Sequence, residues 1–103
     1  MLLTNTAYTQ EAPLSFEYKD EFRNGQMWHF FEVQALVSSV TISSLAANQG
    51  NCKLLLLTPM GKAMLPMTMK YGETRIVFTY AQCKPLKVEA STDQGDWSFG
   101  FDP

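Results

Sequence analysis

The chain has 103 residues, of which 46% are hydrophobic, enough for one domain that folds alone with modest stability. Eight basic and ten acidic residues leave a net charge of −2, and no stretch gathers Lys or Arg into a stripe, which argues against a nucleic-acid partner. The longest uninterrupted apolar run, Leu54 to Leu57, is far too short to span a membrane.

Residues 1–13 show no sustained periodicity and end at Pro13, so they read as an arm or an edge strand ahead of a single domain over 14–103. The opening has no basic segment followed by a long apolar stretch, the mark of a secretory signal. Its polar, Thr-rich composition suits the start of a mature exported chain as well as that of a cytosolic one, and the cysteines discussed below favour the first.

From Leu14 onward the pattern is strands and turns. Leu14, Phe16 and Tyr18 alternate with Ser15, Glu17 and Lys19, and Asn24-Gly25 is the dipeptide preferred in two-residue type I′ hairpins. With that loop, the register sets Phe22 opposite Met27, Asp20 opposite His29, Tyr18 opposite Phe31, Phe16 opposite Val33 and Leu14 opposite Ala35. One face of the hairpin is then almost wholly apolar. The other pairs Lys19 with Phe30, Glu21 with Trp28 and Glu17 with Glu32, and is the more exposed.

Later segments repeat the alternation. Val40 and Ile42 come first, then Cys52 to Leu57, then Leu65, Met67, Met69 and Tyr71. Ile76, Phe78 and Tyr80 follow, then Leu86, Val88 and Ala90, and last Trp97, Phe99 and Phe101. Turn signals at NQGN, TPMGK, KYGE, AQCK and TDQGD separate them. Seven or eight short strands at a spacing near ten residues predict an all-β antiparallel sandwich with little or no helix. The Leu54–Leu57 run does not alternate and is expected in a central strand, covered on both sides. Pro66 demotes the Met-rich segment to an edge strand or a bulge.

Cys52 and Cys83 sit beside apolar runs after NQGN and YAQ, where a disulfide can clip two strands. With no CxxC and no metal-ligand set nearby, the bridge is favoured over two buried thiols in a cytosolic core, and it places the chain in an oxidising compartment.

Candidate chemistry is sparse. His29 is the only histidine, and its expected partner Asp20 gives either a proton-sharing pair for a small hydrolase or ligand carrier, or a structural hydrogen bond, which is preferred because no nucleophile is tied to it. Glu17 and Glu32, side by side, offer either a hard-cation site or a solvated pair, and the second is preferred. The methionines between Met60 and Met69 read as core filling rather than as a soft-metal site. The GxSxG, HExxH, P-loop and dinucleotide fingerprints are missing, so no enzyme, cofactor or metal is expected. Trp28 and Phe30 are the candidate protein-binding surface, an aromatic pair on a face otherwise lined with charge. A covering sheet or arm would give them a packing role instead, and with the faces reversed Tyr18 and Phe31 would inherit the site.

The stretch VSSVTISSLAANQGNCK, followed by KYGETRIVFTYAQCKPLKVEASTDQGDWSFGF, resembles small exported bacterial β-proteins of the interleukin-receptor-mimic family, over residues 33–101. The resemblance rests on two cysteines, an NxGNC turn and a terminal GxWxF strand. It implies a fibronectin type III-like fold, a secreted or periplasmic location, dimerisation by strand exchange and binding of host proteins such as a receptor or cytokine. An immunoglobulin domain proper fits less well, because Tyr80 lies three residues before Cys83 rather than two, and Trp97 follows the second cysteine. The expected function is thus an exported, non-enzymatic protein-binding module. The alternative, a structural subunit of a bacterial envelope or conjugation apparatus, uses the same sheet edges against its neighbours.

Overall fold

Asn24 and Gly25 adopt φ of 55° and 74°, the left-handed pair that a type I′ turn requires. In the computed structural model, which describes residues 12–58, 60–80 and 83–101, this turn joins β1 (Leu14–Arg23) to β2 (Gln26–Ala35). The register is the expected one throughout, from Arg23 opposite Gln26 to Leu14 opposite Ala35. Six further strands follow: β3 (Ser39–Ala47), β4 (Leu54–Leu55), β5 (Met67–Lys70), β6 (Thr74–Thr79), β7 (Lys87–Thr92) and β8 (Gly95–Gly100). A one-turn 3₁₀ segment at Asn48–Gly50 interrupts them.

The strands form two four-stranded antiparallel sheets, β1-β2-β6-β4 and β5-β3-β7-β8, as the sandwich expectation requires. Setting β5 aside, the order is the ABED and CFG partition of an immunoglobulin constant-type sandwich. That arrangement is shared by many unrelated domains and does not by itself assign a function. The inner faces bury Leu14, Phe31, Val33 and Val77 against Val40, Ile42, Met69 and Val88, each contributing roughly 1.5–3 kcal/mol by leaving water. Phe99 closes the open side by packing on Phe16, with ring centroids 4.4 Å apart. Of the proposed N-terminal arm, residues 1–11 lie outside the described residues, while Pro13 is buried and its carbonyl accepts a hydrogen bond from Leu36 N. Among the described residues no helix is long and apolar enough to cross a membrane.

Two expectations are corrected. The Leu54–Leu57 run is not central, because β4 is only two residues long and forms the edge of the first sheet beyond β6. After Leu55 the chain peels away into its own small hairpin, closed by Met64 N to Leu56 O and Thr58 N to Lys62 O, which leaves Leu57 48% exposed. In β6 the inward residues are Val77 and Thr79, both buried, while Ile76 and Tyr80 face solvent. The strand is apolar on both faces, so alternation did not distinguish them; its pairing with β2 through Phe31–Val77 does. The Met67–Lys70 strand does lie at a sheet edge, and its Met67 and Met69 fill the core.

The two cysteines are bridged, with Cα atoms 5.7 Å apart. Their placement is more specific than a clip between strand ends. Cys52 lies in the connection that crosses from β3 in the second sheet to β4 in the first, and Cys83 in the one that returns from β6 to β7. Beside the bridge, Asn48 has φ of 51°, and its Oδ1 accepts from Leu86 N (2.8 Å) and Lys87 N (3.2 Å) while its Nδ2 donates to Lys84 O (3.1 Å). Tyr80 N donates to Lys53 O at 2.8 Å. Backbone groups that would otherwise be stranded in the crossovers are thereby paired.

The bridge closes a loop with a sequence separation of 31, which corresponds to roughly 3–4 kcal/mol of stabilisation. The doubly substituted Cys52→Ser/Cys83→Ser chain is expected to lose that amount in urea unfolding; an unchanged midpoint would mean that Asn48 and the sheets hold the crossovers unaided.

Candidate functional site

Because successive side chains of a strand point to opposite faces, the register that buries Phe31 and Val33 turns Trp28, Phe30 and Glu32 outward. Pairing brings Phe78 of β6 beside Phe30, and Leu55 of β4 beside Phe78. The Phe30 and Phe78 rings lie 5.1 Å apart, and Trp28 meets Phe78 edge-on at 6.4 Å and 84°. Of the two residues singled out in the sequence, Trp28 is 38% exposed and Phe30 only 9%. Trp28 is therefore available for contact, whereas Phe30 is the floor on which Phe78 rests.

Two shallow grooves run along this face. One, of about 380 Å³, lies between Trp28, Leu55, Phe78 and Tyr80, with Glu21 and Arg23 at its rim. The other, of about 410 Å³, lies between Leu55, Leu57, Met64, Ile76 and Phe78. They share Leu55 and Phe78, so the apolar surface crosses three strands without a break. Sequence reasoning missed Leu55, Ile76, Phe78 and Tyr80. The signal for them was present in Ile76-Val77-Phe78, three consecutive apolar residues that a strand cannot all turn inward.

The paired carboxylates on the same face are bridged by a side chain of the protein itself. Lys19 Nζ lies 3.5 Å from Glu17 and 3.9 Å from Glu32, so an ammonium occupies the position between them.

On the inner face, Asp20 and His29 are paired as the register requires, at the point where the hairpin runs past the body of the sandwich. β2 pairs with β6 only over Phe30–Gln34, and beyond that the hairpin is a two-stranded ribbon. The apolar inner face accordingly turns polar. His29 Nδ1 lies 2.7 Å from Asp20 Oδ1, the Tyr18 hydroxyl donates to the same oxygen, and the Tyr18 oxygen is 2.8 Å from His29 Nδ1. Lys84, next to the disulfide, places its ammonium 5.8 Å above the Tyr18 ring. Partial desolvation, then the bond to Asp20, raises the Tyr18 hydroxyl well above the ordinary phenol range, so it remains a donor. The hydrogen bonds from Tyr18 and then from His29 lower the Asp20 carboxyl below its usual value. The Asp20 bonds tie the two strands of the ribbon to each other, and Lys84 reaches Tyr18 from the body of the sandwich.

Compared with protein-family models, curated proteins and solved structures, the chain matches none.

The tie carries a pH dependence. Asp20 is held ionised by folded-state partners, so its contribution is complete above the unfolded carboxylate pKa of about 3.9 and disappears as the pH falls through the lowered folded value. Asp20→Asn should therefore be less stable than the parent at pH 7, with the gap closing on acidification below about pH 4, measured as urea midpoints across pH. A gap that stays constant would remove the carboxylate from the tie.

Proposed function

We propose that the chain is a non-enzymatic protein-binding domain of an oxidising, extracytoplasmic compartment, and that it holds its partner on the outer face of the first sheet. The observation that carries this reading is the unbroken apolar surface over Trp28, Phe78 and Leu55, floored by a buried Phe30 and rimmed by Glu21 and Arg23. Half-exposed aromatic residues in a shallow groove, with charge confined to the rim, have the composition of an interface centre. Trp supplies a large rigid contact area and is the residue type most enriched among binding hot spots.

The Cys52–Cys83 bridge supports an oxidising location, and the resemblance in the sequence suits export from a bacterial cell with a host protein as partner. The contacts of His29 Nδ1 with Asp20 and Tyr18 run across the two strands of the hairpin, as the structural reading of that pair expects. A second reading, a structural subunit of an envelope apparatus, draws on the ten-residue strand β1 at the edge of its sheet.

Affinity capture from the native compartment, followed by titration of the captured protein against variants, tests the proposal. Trp28→Ala should weaken binding by about 30-fold or more, the loss expected of a hot spot, while its thermal melt stays close to that of the parent. His29→Ala should bind as the parent does. Equal binding by Trp28→Ala would move the interface elsewhere, and unfolding of that variant would make Trp28 a packing residue.

A further inference from the structure

Among the described residues β1 is the longest strand at a sheet edge. Among the described residues it pairs only with β2, leaving ten residues of strand with a free side. The two-residue loop makes Arg23 and Gln26 the closing hydrogen-bonded pair, and Leu36 N donates to Pro13 O in the same phase at the other end. Odd-numbered residues of β1 therefore spend their backbone groups on β2. Leu14, Phe16, Tyr18, Asp20 and Phe22 turn their N–H and C=O groups outward. An open edge of this length is a template for another strand unless its side chains forbid it.

The side chains of β1 select one partner. Along the outer face run Glu17, Lys19, Glu21 and Arg23, alternating in sign. The geometry points to a second copy of this chain, paired antiparallel through β1 about a two-fold axis at Asp20. In that register Lys19 stands opposite Glu21 of the second copy and Glu17 opposite its Arg23, and the two-fold repeats both, giving four attractive pairs. These are the non-hydrogen-bonded positions, where Cα atoms approach to about 4.5 Å and side chains are closest. Moving the axis to residue 19 sets Glu17 against Glu21 and Lys19 against itself. Moving it to residue 21 sets Lys19 against Arg23 and Glu21 against itself. An axis at residue 18 keeps only the Glu17–Lys19 pairs.

The same register accounts for Phe22, which is 68% exposed on the inner face. It falls opposite Tyr18 of the second copy, whose ring already packs against Phe101 at 5.8 Å; the aromatic pair covers what the single chain leaves in water. The one unfavourable pair is Asp20 with itself on the axis. Each carboxylate is bound back to Tyr18 and His29 of its own copy, which moderates the repulsion. The resulting dimer joins two first sheets into one of eight strands, borders the outer-face groove through the shared rim residues Glu21 and Arg23 while leaving Phe78 and Leu55 outside the contact, and exchanges no strand.

Complementary charge reversal tests the pairing. Lys19→Glu alone opposes Glu to Glu at two places, and Glu21→Lys alone opposes Lys to Lys; mixed together, the two variants regain both pairs as a heterodimer. Sedimentation equilibrium at low ionic strength should show a parent dimer that loosens with added salt. Each variant alone should dissociate about tenfold or more readily, and native mass spectrometry of the mixture should recover the mixed dimer. Glu17→Lys with Arg23→Glu repeats the design should either first variant fail to melt cooperatively. A parent chain that stays monomeric, a dimer indifferent to all four variants, as strand exchange would give, or a mixture that fails to recombine would each overturn the proposal.

Discussion

Both connections that cross between the sheets at one end of the sandwich are fastened to each other, and the positions of the other elements follow from that. The disulfide is the covalent part of the fastening, and Asn48 is the polar part. Its side-chain amide serves three backbone groups of the returning chain at once. Because β4 leaves this corner beside the incoming β6, Leu55 and Phe78 are brought together on the outer face. The corner also supplies Lys84, which reaches the inner face of the hairpin. A constraint at one end of the fold thus helps position residues on both faces of the first sheet.

The register of the hairpin was legible because two independent signals agreed: Asn24-Gly25 set the loop to two residues, and alternation gave one nearly all-apolar face. Which face is buried stayed open between the Trp28–Phe30 and Tyr18–Phe31 alternatives, because both faces carry large aromatic residues, and the burial of Phe31 and Val33 decides it. The Leu54–Leu57 and Ile76–Tyr80 segments were not legible in the same way. Each is apolar on consecutive positions, so period-two reasoning has nothing to work with, and their placement depends on pairing partners far away in sequence. The proposed binding surface inherits this limit. Trp28 was visible because the hairpin register sets it opposite Glu21 on the charged face, whereas Phe78 and Leu55 became visible only when β6 was laid beside β2. Likewise the turn sequence NQGNC advertised a corner but not that its Asn would clamp the chain thirty-odd residues later.

An aromatic face on the outside of a sandwich has a cost for a chain of this size. Trp28, Ile76 and Tyr80 contribute little to the core while remaining in water, so stability must come from the interior and the clamp. That division is consistent with a fold in which the scaffold is fixed by tertiary packing and the grafted surface is free to vary. It also separates the two faces of the hairpin, one buried in the core and the other carrying the surface proposed for binding.

The hairpin has a mechanical aspect as well. The molecule measures 59 Å along its longest axis against 23 Å along its shortest, and beyond Phe30 the hairpin is a ribbon of two strands only. Such a ribbon is a cantilever, and Trp28 stands near its root, where bending moments are largest. Phe30 on Phe78 supports it from the outer side, and Tyr18 beneath Lys84 supports it from the inner side. A load applied at Trp28 is therefore divided between an apolar bearing and a polar one, and the polar bearing leads straight into the disulfide corner.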